Sequence, residues 1–294
     1  MSWLFAPGFF SNGPVQAALV TGTMVALVCA PVGVLAVLRR QSFAGHAFAD
    51  ITSTGGSAAV LLGISPVVGF AAAAATGAAS MEALSARRER DRDLVTGAVL
   101  GAALGLSALF LYLSATTRNA SGAAVTVLFG SIFSVSTSSW PWVVALGGLA
   151  VGLVALAYRP LLLSSVSPEL AAARGVPVRL VGLAYLGALA AAVSLSALTV
   201  GAVLSTALVV GPAAATLGVV RRPGRAMAWA GLVAMLSVWG GIVLSYDSFN
   251  WPPRGQGWPV SFFVVALVLL AYGASRVASG HMHARGRASQ QSEG

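Results

Sequence analysis

The chain has 294 residues, 57% of them hydrophobic and only 9% charged. Soluble domains carry about 25% charged residues, so these residues cannot clothe a soluble protein of this size. A soluble enzyme, a nucleic-acid-binding domain and a disordered chain are excluded, which leaves an all-α polytopic membrane protein. The net charge is +9, from 17 arginines, no lysine and eight acidic residues. The arginines recur in small clusters between apolar runs, which is the layout of cytoplasmic loops rather than of a nucleic-acid surface. Cys29 is the only cysteine, so no disulfide within the chain and no multi-thiol site is possible.

A helix needs about 20 apolar residues to cross a hydrocarbon core of about 30 Å. Such runs lie near 15–38, 44–62, 66–84, 94–114, 139–158, 179–199, 200–218, 226–246 and 258–279. The first run is too central, and its flank too uncharged, for a cleaved signal peptide. The second contains His46, Asp50, Gly55 and Gly56, a poor composition for a lipid-facing helix. The stretch 179–218 is nearly continuous, with Thr199 and Gly201 marking a turn. Eight or nine transmembrane helices are therefore expected. Gly97, Gly101 and Gly105, four residues apart, predict close helix packing within the bundle. Residues 1–280 read as a single transmembrane domain and 281–294 as a flexible tail.

The arginines set the orientation. With Arg39 and Arg40 cytoplasmic, alternation through nine spans places fifteen of the 17 arginines inside and only Arg118 and Arg254 outside. This obeys the positive-inside bias. It puts the N-terminus outside and the C-terminus in the cytoplasm.

Charge at membrane depth is costly and usually functional. Glu82 lies near Arg87 and Arg88 at a span end, Asp93 suits a helix start, and Asp247 falls in an outer loop. His46 and Asp50 remain. Four residues apart on a helix, they share one face. Imidazole plus carboxylate is a ligand set for zinc, manganese or iron. A two-fold dimer would bring two of each to the axis. A His–Asp hydrogen bond between spans and a proton relay are the competing readings. His281 and His283 form a short HxH in the tail, more often incidental than functional.

Between two spans, Ser167 suits an N-cap, Pro168 the first helical position and Glu169 the first turn. Ala171 to Ala173 continue the helix, Gly175 can end it in the left-handed conformation, and Pro177 bars its continuation. A helix of about two turns on the arginine-rich side serves either as a docking knob for a cytoplasmic partner or as an interfacial connector.

Several segments resemble the permease subunits of ATP-binding cassette importers for zinc, manganese and iron. The stretch from Arg39 through Ser42, Gly45 and His46 to Asp50 resembles the segment R-x-x-S-L-x-G-D-A-x-S-H. Phe129-Gly130-Ser131-Ile132 resembles F-G-x-I, and Ser167-Pro168-Glu169 through Gly175 resembles D-P-E-x-A-x-x-x-G. Val200-Gly201 through Pro212-Ala213-Ala214 resembles V-G-x-L-L-V-x-A-L-L-I-x-P-A-A, and Gly241-Ile242-Val243-Leu244-Ser245-Tyr246 resembles G-L-x-L-S-Y. The five stand in the family order, between about Gly22 and Val260. The family's acid and histidine are exchanged here: His46 stands at the acid position and Asp50 at the histidine position. The ligand set is kept, with donor heights shifted by about 6 Å. Ser167 replaces an aspartate, another good cap.

The resemblance implies an importer permease in the bacterial plasma membrane that binds no cofactor, carries zinc or manganese as substrate, and works as a homodimer. Its partners would be a cytoplasmic ATPase dimer at Ser167, Pro168, Glu169 and Gly175, an extracellular metal-binding protein and membrane lipid, with no nucleic acid. The chain has no G-x-x-x-x-G-K-[ST] segment, so ATP hydrolysis is expected on the partner. The rival functions are a permease for a metal chelate, an ion-coupled secondary transporter using a His46–Asp50 relay, and, last, an intramembrane enzyme.

Overall fold

The computed structural model describes residues 9–85, 92–120, 122–130, 132–135, 139–220, 222–251 and 257–291. Each of the nine apolar runs forms a helix: α1 (Gly13–Leu38), α2 (Ser42–Leu62), α3 (Pro66–Ser85), α4 (Arg92–Thr117), α6 (Trp140–Leu156), α9 (Val178–Val200), α10 (Ser205–Leu217), α11 (Pro223–Ser248) and α12 (Val260–Gln291). Three short helices join them: α5 (Ala123–Phe129), α7 (Tyr158–Val166) and α8 (Pro168–Ala173). No strand occurs among the described residues.

Five of these helices, α1, α4, α9, α11 and α12, are long and apolar enough to cross a membrane; α6 with α7 makes a sixth, bent by 65°. The bend follows from Pro160. Proline has no N–H to offer the carbonyl four residues back, and its ring crowds that carbonyl; here that residue is Leu156, the last of α6. Helix α12 runs on to Gln291, through the stretch whose polar composition suggests a tail.

Helices α1 and α9 form the centre. Helix α1 packs against α6, α9, α10 and α11, while α2 lies between α3 and α4 and against α9. Lipid tails are as apolar as leucine, so helices associate in a membrane through close packing and hydrogen bonds rather than through the hydrophobic effect. The closest approaches are at glycine. Gly33 of α1 lies on the Val209 carbonyl of α10, and Gly55 of α2 lies against Gly69 of α3. Gly97, Gly101 and Gly105 do not take this part: a side chain there would meet nothing of this chain. The expected packing face of α4 therefore points outward, and the face that packs on α2 carries Ala103 and Ser107 instead.

Gly130 (φ +72°) and Gly201 (φ +94°) also pack backbone to backbone, after α5 and after α9. Left-handed backbone at both positions favours glycine. The turn is sealed where Ala202 N–H donates to the Val127 carbonyl at 3.1 Å and Val203 N–H to that of Leu128 at 3.2 Å.

Candidate functional site

Helix α2 carries the ionisable pair, and its polar side chains fix its position. Ser53 and Ser107 hydroxyls bond at 2.8 Å, and Thr54 Oγ1 donates to the Ala103 carbonyl at 2.7 Å, both across to α4. Ser57 Oγ donates back to the Ser53 carbonyl at 2.8 Å. In hydrocarbon, such bonds bind one helix to the next. They hold the face of α2 on which Asp50 sits.

Asp50 and His46 lie one turn apart. His46 Nε2 stands 3.8 Å from Asp50 Oδ2, with the histidine side chain 48% exposed and the aspartate 7%. That separation is too long for a hydrogen bond, and Oδ2 is buried with no hydrogen-bond partner. An uncompensated buried carboxylate costs several kcal/mol, which either a cation beside it or a proton on it removes. Two donors each about 2.0–2.2 Å from one ion stand at most about 4.4 Å apart, so this pair can share an ion. No group of three or more His, Cys, Asp or Glu side chains gathers among the described residues, so one copy offers two donors and not a closed site. The exposed His46 beside the buried Asp50 leaves the pair open to a third ligand from outside the chain. Cys29 is no part of it: its thiol is buried and points to the Ala192 carbonyl at 3.7 Å.

The other ionisable candidates fall elsewhere. Asp247 is not in an outer loop but in the last turn of α11, where it is buried. The apolar run simply ends later than the charge suggests. The side chains of Glu82, Asp93, His281 and His283 lie outside the described residues.

Helix α8 forms as its local residues dictate. Ser167 Oγ accepts from Leu170 N–H at 3.2 Å, Pro168 opens the helix and Glu169 lies in its first turn. At the other end Gly175 is left-handed (φ +76°); its N–H reaches the Ala172 carbonyl at 2.9 Å and that of Val176 the Ala171 carbonyl at 3.0 Å. This is the paired closure typical of a glycine stop. Ala171 is fully buried and anchors the helix, while Val166 (86%) and Leu170 (46%) are exposed. These outward apolar side chains, Val166 at the end of α7 and Leu170 on α8, suit either a protein partner or a membrane interface.

A contact that sequence reading missed joins the two regions. Arg39, which caps α1 just before α2, donates from Nη1 to Ser164 Oγ of α7 at 3.0 Å. Its guanidinium also lies 4.9 Å over the Tyr185 ring of α9. Burial lowers the Arg39 guanidinium from its ordinary value, opposed by Tyr185, and an arginine stays charged regardless. Arg39 is legible only as a topology marker, because nothing in the sequence links it to a serine 125 residues away. Helix α7 leads straight into α8, so the start of α2 is tied to the base of α8.

Known proteins resemble this chain in sequence and in fold. The chain is 28% identical over 239 residues to the high-affinity zinc uptake system membrane protein ZnuB of Haemophilus influenzae, covering 80% of this chain and 90% of that one. It is 26% identical over 244 residues to the manganese transport system membrane protein MntC of Listeria innocua, covering 83% and 85%. Its fold is similar to a chain of PsaBC from Streptococcus pneumoniae in complex with Fab, with a TM-score of 0.77 at 22% identity, covering 91% and 92%. The model of the ABC 3 transport family matches residues 12–272: with nearly its whole helical bundle inside that match, the chain belongs to the ABC 3 transport family.

Proposed function

We propose that this chain is the permease subunit of an ATP-binding cassette importer for a divalent transition metal, zinc or manganese. The observation that carries the metal reading is the Asp50 carboxylate oxygen, buried without a hydrogen-bond partner and facing His46. The names of the relatives, a zinc uptake and a manganese transport system membrane protein, support it. Two copies would meet with their α2 helices near a two-fold axis, so that two His46 and two Asp50 side chains offset the ion's lost hydration. Binding there stays weak enough for release.

On this reading the chain crosses the membrane eight or nine times, and the positive-inside bias puts the N-terminus outside and the C-terminus in the cytoplasm. Support comes from contacts between residues that alternation assigns to one side: Arg39 with Ser164, Gly63 with Arg118, and Gly130 with Gly201. Helix α10 has 13 residues and rises about 20 Å. As a ninth crossing it takes in the 201–204 turn before it.

Helix α8 docks a cytoplasmic ATPase, with Leu170 and Val166 against it and Glu169 at the rim. An extracellular metal-binding protein delivers the ion from the other side. ATP-driven closure of the ATPase pair moves α8, and the Arg39–Ser164 junction carries that motion to α2. The test is uptake of zinc and manganese by the complex in proteoliposomes. His46→Ala and Asp50→Asn should each lower uptake at least about tenfold, which is the loss of one strong ligand interaction. Wild-type uptake in both variants refutes the site. Uptake by the chain alone, without an ATPase, would favour an ion-coupled transporter.

A further inference from the structure

Helices α3 and α4 both lie on α2 but scarcely touch each other. They leave a groove of about 530 Å³, with Ile51, Thr54 and Ala58 on its floor and Ala72, Thr76 and Leu106 on its walls. Its two hydroxyls are already engaged: Thr54 Oγ1 donates to the Ala103 carbonyl at 2.7 Å and Thr76 Oγ1 to the Ala72 carbonyl at 3.0 Å. The groove therefore presents methyl and methylene surface, which offers nothing to a polar ligand and suits a hydrocarbon chain.

Its length and its end add to this. From Ile51 to Leu62 the floor rises about 16 Å, roughly half of a hydrocarbon core of about 30 Å and so the depth of one leaflet. At the Leu62 end, beside Ile64, the groove meets a cation: the Arg118 guanidinium lies against Gly63. Arg118 is exposed, and among the described residues no carboxylate pairs with it. The other end of α2 adjoins the Arg39–Ser164 junction, so Arg118 belongs to the membrane face remote from α8. A dry channel one leaflet long, with a free guanidinium at the headgroup end, matches the shape and charge of one class of molecule.

We infer that this groove binds an anionic phospholipid of the leaflet remote from α8, with one acyl chain along α2 and its phosphate paired with Arg118. Guanidinium and phosphate pair in bidentate fashion, and a zwitterionic headgroup brings its own ammonium to compete with Arg118 for that phosphate, so the site prefers anionic headgroups. The inference stands apart from the metal reading, because none of its residues belongs to the His46–Asp50 pair.

The experiment is native mass spectrometry of the full-length protein released from nanodiscs holding equal parts of phosphatidylglycerol and phosphatidylethanolamine. Wild type should retain phosphatidylglycerol in excess. Arg118→Gln should weaken that retention about tenfold, the loss of a charge-assisted bond, without lowering phosphatidylethanolamine, and Arg118→Lys should restore part of it. Ala102→Phe, at an exposed position on the wall, should fill the channel and lose both lipids. Both sites are exposed, so the variants should elute as wild type does. Equal retention of phosphatidylglycerol by wild type and Arg118→Gln, or no lipid on wild type, overturns the inference. So does a disulfide between two copies through Ala102→Cys, which would make the groove an interface between copies.

Discussion

Helices α1 and α4 have the same length, 26 residues, and are nearly equally apolar, yet the chain treats them oppositely. Of the most apolar stretch of α1, 67% is buried within the chain, against 22% for α4. Both carry glycines along their length. In α1, Gly22 lies on Val238 and Ile132 and Gly33 on the backbone of Val209, whereas Gly97, Gly101 and Gly105 of α4 face open space. In water such a difference would appear as amphipathicity. In lipid it does not, because the outside is as apolar as the inside. Polar side chains reveal the inner face of α4: Ser107 pairs with Ser53, and the Ala103 carbonyl accepts from Thr54.

The largest effect should therefore come from adding volume to α1. Gly33→Leu drives a side chain into the Val209 carbonyl, and overpacking of this kind costs about 3 kcal/mol or more. Almost no protein should elute as a folded species in size-exclusion chromatography. A wild-type elution profile would mean that α1 and α10 are not in contact as described. The next test sits at the end of α1. Arg39→Gln removes a bond to Ser164 and a cation held over Tyr185, together about 1–2 kcal/mol. Metal ions moved per ATP hydrolysed should fall about fivefold while ATP hydrolysis continues. A parallel fall in both would mark Arg39 as merely structural.

A smaller effect is expected at α8. Gly175→Val forces a β-branched residue into left-handed backbone, at about 1–3 kcal/mol. Because α8 is peripheral, the protein should still fold, and the loss should appear as reduced co-purification of the ATPase. Full co-purification would count against docking there. Gly101→Ala should do least. With nothing within reach of the added methyl, folded yield should match or slightly exceed wild type, since alanine favours helix over glycine by about 1 kcal/mol. A large loss of folded yield would mean that this face of α4 is buried after all.

These helices also delimit what was legible in the sequence. The nine apolar runs became nine helices, but only five, or six with the bent pair, are long and apolar enough to meet the bilayer's demand for length. The break between α9 and α10 was marked by Thr199 and Gly201, and α8 by its caps, because those are local rules. Helix α5 was missed because seven residues are too few to leave a periodic signal. The bend at Leu156 was readable in principle from Pro160, but a proline near a span end more often reads as a simple terminus. At the candidate site, the scarcity of charge made His46 and Asp50 visible. The serines and threonine that hold α2, and the reach of Arg39 to Ser164, were not visible, since small hydroxyl residues are common and long-range pairing leaves no pattern in one sequence.

The central claim is that metal crosses the membrane between His46 and Asp50. The most direct measurement is anomalous scattering from crystals of the dimer soaked in saturating zinc. The account predicts a peak on the two-fold axis between the two α2 helices, about 2.0–2.2 Å from Asp50 oxygens and His46 nitrogens, and its loss in Asp50→Asn. A peak elsewhere in the membrane region, or none beside Asp50 in wild type, would contradict it.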